Sequence, residues 1–69
     1  MENYSENPLW SLLVEVVHSL PLYPNHKSYT RDILIIEKPE LDSLELSQRL
    51  DMPLGEAMVI IDELRRAIG

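Results

Sequence analysis

The sequence predicts a mainly α protein, a small helical bundle forming one domain over residues 1–69, with two helices joined by a tight corner in its C-terminal half. Three observations carry this. Apolar residues recur every three to four positions over residues 7–20 and again over 54–68, which is the period of one helix face. Residues that favour helix starts precede the helical stretches, Asn7 with Pro8 and Asp42 with Glu45, where a side-chain oxygen can take up free N–H groups. Between Leu50 and Leu54 stand only Asp51, Met52 and Pro53, a connection that makes a corner.

Residues 7–20 form the N-terminal helix. Asn7 is a good cap, Pro8 suits a first position where its missing N–H costs nothing, and Pro21 closes the element. On a wheel of about 100° per residue, Ser11, Glu15, His18 and Ser19 fall in one polar stripe. Leu9, Leu13, Val17 and Leu20 lie opposite, and Trp10, Leu12, Val14 and Val16 widen the apolar arc on both flanks. So wide an arc exceeds what three short helices readily cover. Either the helix threads the middle of a single-chain core, or two copies pack against each other. The homodimer expectation assigns the contact to Leu9, Trp10, Leu13, Val16, Val17 and Leu20.

Residues 21–28, PLYPNHKS, hold two prolines and an asparagine and read as a loop. They separate the first helix from a unit over residues 29–69. Residues 29–39, YTRDILIIEKP, are ambiguous. Four consecutive apolar residues favour a short β segment around 30–37, while Thr30 before Arg31 and Asp32 suits a short helix. Pro39 ends the element either way, because it pushes Lys38 out of helical geometry. Asp42 then caps a helix running to about Leu50, with Glu45 placed as in a capping box, and the last helix spans 54–68.

A 69-residue chain buries only about 60% of the surface it exposes when unfolded, so its stability depends on dense helix packing or oligomerisation. There is no cysteine, hence neither a disulfide nor a thiolate metal site, which suits a cytoplasmic protein. The opening MENYSEN is acidic and polar, unlike the basic and apolar stretches of a signal peptide. No apolar run approaches the roughly 20 residues that span a bilayer, so no membrane role is expected. Twelve acidic against six basic residues leave a net charge of −6, a handicap for binding phosphate backbones.

The stretch LELSQRLDMPLGEAMVIIDEL carries a resemblance. Leu46, Ser47, Leu50, Met52, Ala57 and Ile60 are similar in type and spacing to the helix-turn-helix signature over residues 42–66. The resemblance implies a small residue, Ser47, where the helices cross and an apolar wedge between them. Asp51 departs from the glycine usual at the turn, but tolerates left-handed geometry better than most residues. ILIIEKPELDSLELSQRL also resembles the opening of a winged-helix domain, which favours helix over 30–38 and places Leu41 as the apolar bridge. With the chain stopping at Gly69, no wing is expected.

On the last helix, the wheel places Leu54, Ala57, Ile60, Ile61, Leu64, Ala67 and Ile68 inward. Gly55, Glu56, Val59, Asp62, Glu63 and Arg66 are left outward. Three of those six are acidic, where a groove-reading helix would offer Arg, Lys, Asn or Gln. This face reads as a solvated surface or as a contact site for a basic protein partner centred on Val59. The sequence therefore points to a non-enzymatic helix-turn-helix-type interaction or regulatory module working through protein contacts. A sequence-specific DNA-binding transcriptional regulator is the first alternative and would need Lys27, Arg31, Arg49, Arg65 and Arg66 on one surface. A small acidic inhibitor of a nucleic-acid-binding protein is the second. No catalytic, cofactor or metal residue is assigned. His18 and His26 read as solvated, Glu15 with His18 as a surface pair, and Tyr4, Tyr23 and Tyr29 as rings packed with hydroxyls in water.

Overall fold

The computed structural model of the chain describes residues 7–68 and arranges them as four helices, with no strand among the described residues. Helix α1 spans Pro8–His18. The Asn7 side chain accepts from the Leu9 N–H at 2.8 Å, as the cap expectation requires. At the other end Ser19 donates its N–H and its hydroxyl to the Val16 carbonyl.

Helix α2 runs over residues 23–37 without a break, as an α segment Tyr23–Tyr29, a π turn Thr30–Leu34 and a last α turn Ile35–Glu37. Two expectations are corrected here. The loop expected over 21–28 shrinks to the few residues before Tyr23, because Pro24 stands in the first turn of the helix, where a missing N–H breaks no bond. The apolar run expected as helix or strand is helical, and its inward positions explain why. Thr30 and Leu34 are buried, and the Thr30 hydroxyl donates to the His26 carbonyl at 2.7 Å. Packing of one face overrides the β preference of isoleucine. Pro39 ends α2 as expected, and the chain then buries Leu41 completely.

Helix α3 spans Ser43–Leu50, with the Asp42 carboxylate accepting from the Glu45 N–H at 2.8 Å. The reciprocal half of a capping box is missing. Glu45 turns away to receive Lys38 at 2.6 Å and Arg49 at 2.9 Å. Asp51 adopts φ 53°, ψ 51°, the left-handed geometry anticipated at the corner, and the Met52 N–H then reaches the Ser47 carbonyl. Ser47 is buried near the corner, its hydroxyl bonded to the Leu44 carbonyl.

Helix α4 spans Leu54–Ile68 and lies at the centre of the molecule. Ala57, Ile60, Ile61 and Leu64 join Leu34, Leu41, Leu46 and Met52 in one core. Val59 belongs to a second core with Trp10 and Val17 of α1, flanked by Leu13, Val14 and Met58. Each fully buried aliphatic side chain contributes about 1.5–3 kcal/mol, so docking α1 adds materially to a small fold. Gly55 permits the approach, since a Cβ there would stand 3.0 Å from a Leu13 methyl.

This packing divides the residues expected at a dimer contact. Trp10 and Val17 are buried in the chain's own core, Leu13 and Leu20 are half-buried, and Leu9 and Val16 are exposed. Trp10 and Val17 are therefore withdrawn from that contact, because Val59 already occupies them.

The left-handed Asp51 costs about 1–2 kcal/mol for a β-branched side chain and nothing for glycine. Asp51→Val is expected to lower unfolding free energy by that amount and Asp51→Gly to change it by less than about 1 kcal/mol, relief of left-handed strain being opposed by the added freedom of the unfolded chain, both read from urea melts.

Candidate interaction surfaces

The face of α4 expected to meet solvent is covered. Val59 has no accessible surface and Glu56 only 3%, while Gly55, Asp62 and Glu63 are half-buried and Arg66 is exposed. A contact site centred on an exposed Val59 is thus corrected. The apolar arc of α1 and the first turns of α2 lie over that face, and they turn its carboxylates into internal ligands for side chains opposite.

Glu63 is the hub of one such group. Tyr23 donates its hydroxyl to Oε1, Lys27 Nζ reaches the same oxygen at 3.2 Å, and His18 Nε2 stands 2.7 Å from Oε2. The Lys27 ammonium also lies 5.7 Å from the Tyr23 ring centroid, within cation–π reach, and the His18 and Tyr23 rings lie 5.0 Å apart. Burial raises the Glu63 carboxyl, but the donors Tyr23, His18 and Lys27 outweigh it and hold the group below its ordinary 4.5. Burial, and then the facing carboxylate, push the Tyr23 hydroxyl above 10.0. Lys27 is lowered by burial but raised more by its bonds to Tyr23 and Glu63.

Glu56 forms the second group. Its carboxylate, in the first turn of α4, receives the His26 Nδ1–H at 2.6 Å. His26 comes from α2, in the stretch expected as a loop. Of the two histidines expected in water, His26 is largely covered as the partner of Glu56, while His18 stays exposed and bonds Glu63 from the rim; Tyr23 likewise gives its hydroxyl to Glu63, and Tyr4 lies outside the described residues. Glu15, expected beside His18, makes no ion pair among the described residues, since His18 turns to Glu63. Sequence alone held one signal for these pairs, an apolar residue, Val59, between acidic neighbours on a face opposite the main core.

Among the described residues, apolar side chains stay exposed on α2 (Tyr29, Ile33 and Ile36), at Leu44 and Leu54, and on the two surfaces that follow. On α1, Leu9, Leu12 and Val16 are 69%, 58% and 60% exposed, at the i, i+3, i+7 spacing of a single stripe. Between the α1–α2 connection and the α3–α4 corner lies a groove of about 450 Å3. Leu20, Pro21, Leu22, Met52 and Pro53 wall it, and Glu56, His26 and Asp51 supply its polar groups.

The cations do not gather. Lys27 pairs with Glu63, Arg31 with Asp32, Lys38 and Arg49 with Glu45, and Arg66 with Asp62. Arg65 donates to the Leu41 carbonyl at 3.0 Å. Exposed pairs are weak, worth at most about 1 kcal/mol, so the pairing is not what opposes a phosphate. The adjacent carboxylates are, because they neutralise the potential at each cation.

Removing His26 while keeping Glu56 leaves a buried carboxylate without its donor, and His26→Ala is expected to cost about 2–3 kcal/mol. His26→Ala with Glu56→Met should recover most of it in denaturant melts. The depressed Glu63 adds stability that is complete above pH 4.5 and disappears as pH falls through its lower folded value. Thermal midpoints should therefore drop on acidification below about pH 4.5, with a shallower slope in Glu63→Gln. Compared with protein-family models, curated proteins and solved structures, the chain matches none.

Proposed function

We propose that the protein is a non-enzymatic interaction or regulatory module of helix-turn-helix type that works through protein–protein contacts, and that its first contact is with a second copy of itself along α1. The observation that carries this reading is the aliphatic stripe Leu9, Leu12 and Val16, more than half exposed on a helix whose opposite face is already docked. A chain of 69 residues gains most from burying such a stripe, since its own core covers little.

Self-pairing suits this stripe for an electrostatic reason. The chain carries −6 overall, but among the described residues of α1 only Glu15 brings a charge to the border of the stripe, beside Ser11, Ser19 and Pro8. In an antiparallel two-fold pair, Leu9 faces the partner's Val16 and Leu12 lies near the axis. Glu15 then faces an apolar residue across the axis. DNA binding, by contrast, needs cations gathered on one surface, whereas five of the six lie beside carboxylates that neutralise their potential.

Sedimentation equilibrium at micromolar concentration tests the reading. Wild type is expected to be dimeric and Leu12→Glu monomeric with an unchanged circular dichroism spectrum, because Leu12 supports no part of the monomer core. Wild type remaining monomeric up to about 100 μM, weaker than the affinity scale of a specific complex, would overturn it.

A further inference from the structure

We propose that the groove between the α1–α2 connection and the α3–α4 corner is the docking site for a basic, apolar peptide segment of a protein partner. An aliphatic side chain sits between Leu22 and Met52, and a neighbouring lysine or arginine reaches Glu56 and Asp51. The inference rests on the reading of the protein as a module of protein contacts, and uses a surface separate from the α1 stripe.

Size and lining come first. A volume of about 450 Å3 falls within the range of specific ligand pockets, which are apolar with a few placed polar groups. Here the walls are Leu20, Leu22, Met52 and the two prolines, and the polar groups are His26 bonded to Glu56, with Asp51 from the corner. The chemistry of those groups then selects the sign of the ligand. Glu56 is almost wholly buried and takes one side-chain hydrogen bond, from His26, although a carboxylate offers about four acceptor sites. The opposite ring nitrogen, His26 Nε2, has no partner among the described residues. Asp51, fixed by its left-handed backbone at the groove edge, makes no ion pair among the described residues.

The groove therefore presents unused carboxylate acceptors, and no lysine or arginine is among its described lining residues. The start of α4 contributes only about half a positive charge, which two carboxylates exceed. A phosphate or carboxylate ligand meets repulsion there, whereas an ammonium or guanidinium finds charge-assisted partners. The apolar walls ask for a hydrocarbon side chain beside that cation. A basic, aliphatic peptide meets both demands, and a nucleic acid meets neither.

The test is an NMR titration of the full 15N-labelled chain with two N-acetylated, C-amidated peptides, Gly-Leu-Lys-Leu-Lys-Gly and the same sequence with glutamate for lysine. The lysine peptide is expected to shift the amides of Leu22, Met52 and Glu56, and the glutamate peptide to leave them unmoved. Asp51→Asn, which keeps a residue tolerant of the turn, should weaken the lysine peptide by about 3- to 10-fold, a loss typical of one partly exposed charge. Equal response to both peptides, no response at the groove, or shifts confined to α1 would overturn the proposal. Running the titration also on monomeric Leu12→Glu separates the readings. Groove binding retained in that variant supports the groove whatever the oligomeric state, and a dimer that ignores the lysine peptide rejects the groove while leaving the α1 contact standing.

Discussion

Val59 has no surface left for water because α1 lies across it, and most of the molecule's polar organisation follows from that coverage. Helix α4 carries apolar residues on two sides, one facing α3 and one facing α1, so it becomes a central helix instead of a surface one. Its second apolar side holds a single full-sized anchor bordered by carboxylates. Burying the anchor brings Glu56 and Glu63 inside with it. A buried carboxylate is tolerated only with donors at hand, and α1 and α2 supply them through His18, Tyr23, His26 and Lys27.

Much of the fold was legible in the chain. The cap at Asn7, the cap at Asp42, the corner at Asp51 and the limits of the last helix all rest on local chemistry, and local chemistry is what a sequence displays. The excess apolar arc of α1 was legible too: part of it enters the core through Trp10 and Val17, and Leu9, Leu12 and Val16 stay exposed. The first half of α2 escaped because Pro24 and Asn25 signal a turn unless the proline falls in a first helical turn. The π turn at Thr30–Leu34 escaped because no residue type announces a bond to the fifth residue.

The misplacement of the α4 face has a different origin. A helical wheel ranks one face as inner and assigns the remainder to solvent, which holds for a helix packed on one side. It fails for a helix covered on two sides when the second side is mostly acidic. What decides the matter is the wide apolar arc some forty residues earlier in the chain, and only the tertiary structure joins the two. The same juxtaposition closes the middle of α4 and leaves open, among other sites, the stripe on α1 and the groove beside the corner, the latter joining charge and hydrocarbon.

The pairing of α1 with α4 also sets an order of events during synthesis. Trp10 and Val17 emerge first, and Val59 follows 42 positions after Val17. Closing so long a loop must precede the contact that rewards it, so a nascent chain carries a bare hydrophobic arc until its final helix has left the ribosome. Until then α1 is available to chaperones and to neighbouring nascent chains, and a contact between two copies begun at that stage would form before either monomer is complete.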